Sequence, residues 1–159
     1  MSVAKITRRQ VLILGCQSLT MGSGILLLSG NVAMATPEGL QVAIDAVLGG
    51  SIPKTDRVKL DLPPLVENGN SVPMTVMVDS PMTAQDYITD IHVFNERNPL
   101  PHIASFKISP VAGIARVSTR IKLAASQQIT ALARTSDGEV FVGRANVVVT
   151  LAACVEELN

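Results

Sequence analysis

Ile114-Ala115-Arg116-Val117-Ser118-Thr119-Arg120-Ile121-Lys122-Leu123 alternates without a break. In an extended strand, Ala115, Val117, Thr119, Ile121 and Leu123 share one face, while Ile114, Arg116, Ser118, Arg120 and Lys122 share the other. One face suits a core and the other suits water, which is the signature of a strand in a half-buried sheet. Working outward, six more runs with strand character appear: Arg57 to Leu62, Met74 to Asp79, Tyr87 to Asn95, Ile103 to Ser109, Gln127 to Thr135 and Val140 to Leu151. Between them lie Glu67-Asn68-Gly69-Asn70, Asn98-Pro99-Leu100-Pro101, Ser109-Pro110 and Ser136-Asp137-Gly138, which supply the Asn, Asp, Gly and Pro that turns require.

Ahead of the strands, Thr36 can cap a helix, Pro37 suits its first position and Glu38 complements its positive end. Leu40, Ala43, Ile44, Val47 and Leu48 follow helical spacing, and Gly49-Gly50 ends the run. The expectation is an all-β, immunoglobulin-like antiparallel sandwich of about seven strands with one N-terminal helix. The cysteine and tryptophan hallmarks of antibody domains are absent. With no Trp, one Tyr and three Phe, the core must be built from aliphatic residues.

The first 35 residues read as a removable targeting segment. Lys5, Arg8 and Arg9 form a basic start, an apolar stretch follows from Val11 to about Leu28, and Ala33-Met34-Ala35 offers a cleavage site. Thr7-Arg8-Arg9-Gln10-Val11-Leu12 carries the paired arginines of a twin-arginine signal. A membrane anchor fits less well, because Gln17, Ser18, Thr20, Gly22, Ser23 and Gly24 interrupt a stretch that would need roughly 20 apolar residues. A lipid anchor on Cys16 is disfavoured by the bulky Leu14 two residues before it. A cytosolic chain with an apolar start leaves the arginine pair and the cleavage signature unexplained. The expected organisation is a signal peptide over 1–35, a sandwich over 36–151 and a C-terminal arm over 152–159, in a periplasmic protein without a membrane anchor once the signal is removed.

Cleavage after Ala35 leaves 124 residues with ten Lys and Arg against thirteen Asp and Glu, a net charge of −3. No basic stripe is visible, so nucleic acid is not an expected partner. Cleavage also removes Cys16, and Cys154 becomes an unpaired thiol five residues from the C-terminus in an oxidising compartment.

Little other chemistry is on offer. Asp79, Asp86, Asp90 and Glu96 fall near predicted strand ends and loops, where carboxylates are ordinarily solvated. His92 and His102 read as surface or edge residues. Met74, Met77, Met82 and the two histidines raise a copper site, but such a site wants Cys, His and Met within one loop, and no His or Met follows Cys154. No phosphate loop, zinc spacing or haem-attachment pair occurs, so the expected metal ligands and cofactors are none. Glu156 and Glu157 disfavour the thiolate of Cys154 rather than activating it. That suits a thiol acted upon by other proteins better than a catalytic one.

Several stretches resemble the SoxY family of bacterial thiosulfate oxidation. They are Leu62-Pro63-Pro64-Leu65-Val66-Glu67-Asn68-Gly69-Asn70-Ser71-Val72-Pro73, Ser80-Pro81-Met82, Phe94 to Pro101, Ile103-Ala104-Ser105-Phe106, Thr119-Arg120-Ile121-Lys122-Leu123-Ala124 and Ser136-Asp137-Gly138. They occur in the family's order and cover about Glu38 to Cys154. The resemblance implies a cofactor-free carrier rather than an enzyme. Its cysteine, here Cys154, holds sulfur intermediates covalently. Its partners are a SoxZ-like small sandwich subunit and periplasmic sulfur-oxidising enzymes, including a c-type cytochrome complex. The family's arm is Gly-Gly-Cys-Gly-Gly, whereas this chain has Ala152-Ala153-Cys154-Val155-Glu156. At roughly 3.3 Å per extended residue, Leu151 to Cys154 spans about 10 Å, so reach is retained while the glycine arm's suppleness is lost. The competing readings are a structural or interaction module, or a non-thiosulfate carrier module, that does not use Cys154 as a sulfur arm, and a small copper protein.

Overall fold

The computed structural model describes residues 36–151. The expected signal peptide (1–35) and the expected arm (152–159), with Ala152, Ala153, Cys154 and Val155, lie outside the described residues.

Helix α1 spans Pro37–Leu48 and begins as its sequence dictates: Thr36 is extended and its side chain accepts from the Gly39 N–H at 3.1 Å. At the other end Gly49 takes the left-handed conformation, φ 58°, and its N–H closes on the Asp45 carbonyl. Eight strands follow: β1 (Val58–Asp61), β2 (Leu65–Asn68), β3 (Val72–Val78), β4 (Ile88–Asn95), β5 (His102–Lys107), β6 (Ala115–Ile121), β7 (Gln127–Thr135) and β8 (Val140–Leu151). A 3-10 turn, Pro110–Ala112, joins β5 to β6.

They form two sheets, β1-β3-β6 and β2-β8-β7-β4-β5, in an immunoglobulin-like sandwich. Pleat parity builds the interior. Val72, Met74, Val76 and Val78 of β3 face Ile91 and Val93 of β4, Ile129, Ala131 and Ala133 of β7 and Val147 of β8 in one apolar cluster. In β6, Ala115 and Ile121 are buried while Arg116, Ser118 and Arg120 are exposed, as the alternation requires. The five apolar residues of α1 cover the outer face of the larger sheet, packing on Phe94, Leu132, Val140 and Val142.

Two features depart from expectation. There are eight strands, because Leu65–Asn68 is a strand rather than part of a turn. It also runs parallel to β8, with Leu65 opposite Val148 and Asn68 opposite Leu151, so the larger sheet is mixed. Pro63-Pro64 holds the chain extended on the way into β2, and the Pro64 carbonyl accepts from the Val148 N–H at 2.9 Å.

One glycine is demanded by close approach. A Cβ on Gly143 of β8 would stand 2.7 Å from both the Val58 carbonyl oxygen and Val58 Cγ1, so β1 lies directly against β8 there.

Candidate functional site

The expected arm follows Leu151, which makes the end of the sandwich where β8 finishes the candidate site. β8 is the longest strand, twelve residues, and its last described residue, Leu151, is anchored from the β2 side. The Gly69 N–H donates to the Leu151 carbonyl at 2.8 Å, and the Gly69 carbonyl accepts from the Leu123 N–H at 2.8 Å. Gly69 therefore ties β8 to the segment leaving β6. Its turn is fixed locally by Asn68, whose Oδ1 accepts from the backbone and side-chain N–H groups of Asn70 at 2.9 and 3.1 Å. Thr150 donates to the Glu67 carbonyl at 3.2 Å, and Ser126 Oγ accepts from the Val149 N–H at 2.8 Å.

A second loop closes the same end. Gln127 Oε1 accepts from the N–H groups of Glu96 and Arg97 at 3.1 and 2.8 Å. Asn98 Oδ1 accepts from the Ala124 N–H and Gln127 Nε2, both at 3.0 Å, while Asn98 Nδ2 donates to the Lys122 carbonyl at 2.8 Å. Asn95 Nδ2 donates to the Leu100 carbonyl at 2.8 Å, and Asn95 Oδ1 accepts from the Asn98 N–H at 2.7 Å. Three of the sequence stretches singled out above, 62–73, 94–101 and 119–124, thus converge on the end of the sandwich where the arm begins. Their Asn, Gly and Gln residues hold backbone there. The sequence alone does not show the anchoring roles of Gly69 and Gln127; the Asn68-Gly69 dipeptide is the available signal, and it indicates only a turn.

The site residues themselves, Ala152, Ala153, Cys154 and Val155, lie outside the described residues. Met74 and Met82 are core residues, whereas Met77, 44 % exposed, lies on the opposite face of β3. Met77 lines a cleft of about 530 Å³ with Asp56, Arg57, Lys59, Asp79, Ile114 and Arg116. This cleft sits at the Val58/Val78/Ala115 end of the smaller sheet, opposite the arm root.

Two carboxylate and histidine readings need correction. Asp90 is buried, 6 % exposed, rather than solvated. Its alternation on β4 with His92 and Phe94 places it on the outer face of the larger sheet, beside α1, where β5 and β7 supply cations. His92 Nε2 meets Asp90 Oδ1 at 2.9 Å, Thr89 Oγ1 donates to Oδ2 at 2.8 Å, and Arg134 Nε and Lys107 Nζ stand 3.8 and 3.9 Å away. Arg134 also donates to the Val47 carbonyl at the end of α1, where a cation complements the helix dipole. His92 is half-buried, and its Nδ1 lies 3.2 Å from His102 Nε2. Among the described residues no group of three or more His, Cys, Asp or Glu forms a metal-binding cluster. Nor does any helix there have the length and apolarity to cross a membrane.

Comparison with known proteins agrees with this geometry. The family model described as sulfur oxidation protein SoxY matches residues 44–154. Among solved structures, the sulfur carrier protein SoxY from Chlorobium limicola f thiosulfatophilum is similar at 28 % identity with a TM-score of 0.60, over 72 % of this chain and 98 % of that one. A superoxide reductase (neelaredoxin) from Ignicoccus hospitalis shares the fold at 16 % identity and a TM-score of 0.53, over 74 % of this chain and 95 % of that one. A search of curated proteins by sequence returns no match. The family match spans well over half of the chain and ends on Cys154: the chain belongs to the SoxY family.

Proposed function

We propose that this chain is a periplasmic sulfur carrier that bears its cargo covalently on Cys154 and presents it to sulfur-oxidising enzymes. The observation that carries the reading is the extent of the family match, which runs through the sandwich and stops at residue 154. The bracing of Leu151 by Gly69 supports it, because a carried group needs a firm base from which a short arm can project. The carrier role of the Chlorobium protein points the same way. Export by the twin-arginine route, from the Arg8-Arg9 signal, would bring the folded chain to its partners. Those partners are a SoxZ-like sandwich subunit and enzymes including a c-type cytochrome complex.

The chemistry asks little of the carrier. Joining the Cys154 thiol to thiosulfate forms one S–S bond and releases one proton and two electrons. The electrons leave through the cytochrome, so the carrier needs neither a cofactor nor a catalytic group of its own. Hydrolysis of the adduct then releases sulfate and leaves a persulfide on the cysteine.

A second reading retains the sandwich as an interaction module in which Cys154 carries no sulfur. What favours it is the arm, Ala152-Ala153-Cys154-Val155-Glu156 in place of the family's glycines.

Intact-mass spectrometry of the protein purified from its native compartment during growth on reduced sulfur separates the two. Mass additions of sulfur or thiosulfate that vanish on reduction, and that are absent from Cys154→Ser, are expected. A homogeneous free thiol under every sulfur growth condition overturns the carrier reading.

A further inference from the structure

The Asp90, His92 and His102 cluster is unused by the carrier chemistry. His92 and His102 come from neighbouring antiparallel strands, near the irregularity in the β4–β5 register between Val93 and Phe94. Their facing nitrogens, Nδ1 of His92 and Nε2 of His102, are 3.2 Å apart. Two imidazole nitrogens bound to one ion at about 2.0–2.1 Å stand roughly 3.0–3.4 Å from each other in octahedral to tetrahedral arrangements. The pair already has that separation.

Each ring is also oriented from behind. His92 gives its other nitrogen, Nε2, to Asp90 Oδ1 at 2.9 Å, which leaves Nδ1 of the neutral ring as a lone pair aimed at His102. The carboxylate is fixed in turn by Thr89 and Arg134. His102 stacks on the buried Phe94 ring at 4.9 Å between centroids. A carboxylate behind a ligating imidazole, as Asp90 stands behind His92, is the usual outer arrangement of a metal site. We propose that His92 and His102 form an open binding site for a borderline divalent transition-metal ion such as Cu²⁺ or Zn²⁺, with water at the remaining positions.

Imidazole nitrogen suits these ions over Mg²⁺ or Ca²⁺, which prefer oxygen donors. With two protein ligands the ion is exchangeable rather than structural. The site is independent of Cys154. His92 pairs with Leu132 and Leu132 with Val142, nine residues along β8 from Leu151, or roughly 30 Å at the rise of a strand. The arm from Leu151 to Cys154 spans about a third of that.

The test is calorimetric titration of the tag-free Cys154→Ser protein, freed of metal, with CuCl₂ and in a separate arm with ZnCl₂. Expected are one ion per chain, loss of at least tenfold in affinity on His102→Gln or His92→Gln, and a loss of about 10- to 100-fold on Asp90→Asn. Copper electron paramagnetic resonance should show coupling to two imidazole nitrogens. His102 is exposed, so His102→Gln keeps the fold, which a thermal melt verifies. The absence of saturable binding below about 1 mM of either ion overturns the proposal, as does binding that His102→Gln leaves unchanged. Neither outcome bears on sulfur loading of Cys154, which is read separately by mass.

Discussion

The backbone N–H of Gly69 and the carbonyl of Leu151 meet at 2.8 Å, and that single bond joins the Asn68-Gly69 turn to the last described residue of β8. The turn's other face accepts from Leu123, so loosening it should be felt on both sheets. Gly69→Pro removes the donor and leaves the carbonyl of the exposed Leu151 to water. We expect a loss of about 0.5–1.5 kcal/mol in stability. Amide exchange should accelerate at Leu123 and Val149 while β4 remains protected. Hydrogen-exchange mass spectrometry resolves these segments, and uniform acceleration across the sandwich would refute a local clamp.

Gly143 makes a different prediction, because the obstacle is backbone. Gly143→Ala drives a methyl group to within 2.7 Å of the Val58 carbonyl. Neither β1 nor β8 can give way without disturbing its ladder. A loss of about 1–3 kcal/mol is expected from overpacking, measured by urea unfolding. Ala145→Gly, two residues along the same strand, removes a side chain rather than adding one and should cost about 1 kcal/mol or less.

Much of this architecture is legible from local pattern. The Arg116/Ser118/Arg120 face, the bounds of β7 and β8, and the five apolar positions of α1 each follow from one segment's own periodicity. The β2 strand is hidden because Pro63-Pro64 before it and Asn68-Gly69 after it give the stronger turn signal, leaving only Leu65 and Val66 as apolar clues. Its parallel pairing with β8 depends on residues more than 80 positions away, which no window of sequence contains. Asp90 fails for the same reason: the cations beside it, Arg134 and Lys107, arrive from β7 and β5. The split of Met74 from Met77 was readable, since residues three apart on a strand face opposite ways.

Asp137 offers an acid-range prediction. Its carboxyl is held below the usual carboxylate value, first by the Thr135 hydroxyl and then by the Glu139 backbone N–H. The stabilising contribution is therefore present above the ordinary carboxylate pKa and lost as pH falls through the lowered one. NMR titration of Asp137 should show a midpoint at lower pH than in a peptide of the same sequence, and Thr135→Val should move it back toward normal. An unchanged midpoint in Thr135→Val would exclude the hydroxyl as the cause.

His102 titrates with the opposite chemistry and the same sign of pH slope. Burial lowers its pKa first, and the neighbouring His92 lowers it further against the supporting Ala104 hydrogen bond. The folded state therefore resists protonation that the unfolded chain accepts near 6.5. Stability from this group is complete above that value and declines as pH falls toward the lowered folded pKa. The groups facing the pair are Asp90 on β4, Lys107 on β5 and Arg134 on β7. Thermal melts of metal-free protein between about pH 7.5 and 5 should show a decline that is shallower in His102→Gln. Equal slopes in the two proteins would rule out His102 as its source.

Asp90 itself sets the sharpest contrast between charges that matter and charges that do not. Among the described residues no buried side-chain nitrogen or oxygen lacks a partner, and around Asp90 that balance depends on one carboxylate. Asp90→Ala strands His92 Nε2 and the inner side of Arg134 together, while the Thr89 hydroxyl keeps the Arg134 carbonyl as an acceptor. Arg134 is also the residue that ties β7 to the end of α1. We expect a loss of about 2–4 kcal/mol, below the full cost of an orphaned buried charge because water can still reach Arg134. Asp90→Asn, which keeps the shape and one acceptor, should lose less. Lys107→Ala should change stability by less than about 0.5 kcal/mol, because the Lys107 side chain is 87 % exposed and its contact with Asp90 is 3.9 Å long. Urea unfolding of the three variants against the parent gives the order. If Lys107→Ala costs as much as Asp90→Ala, net charge rather than the buried hydrogen-bonded cluster holds this face of the sheet together.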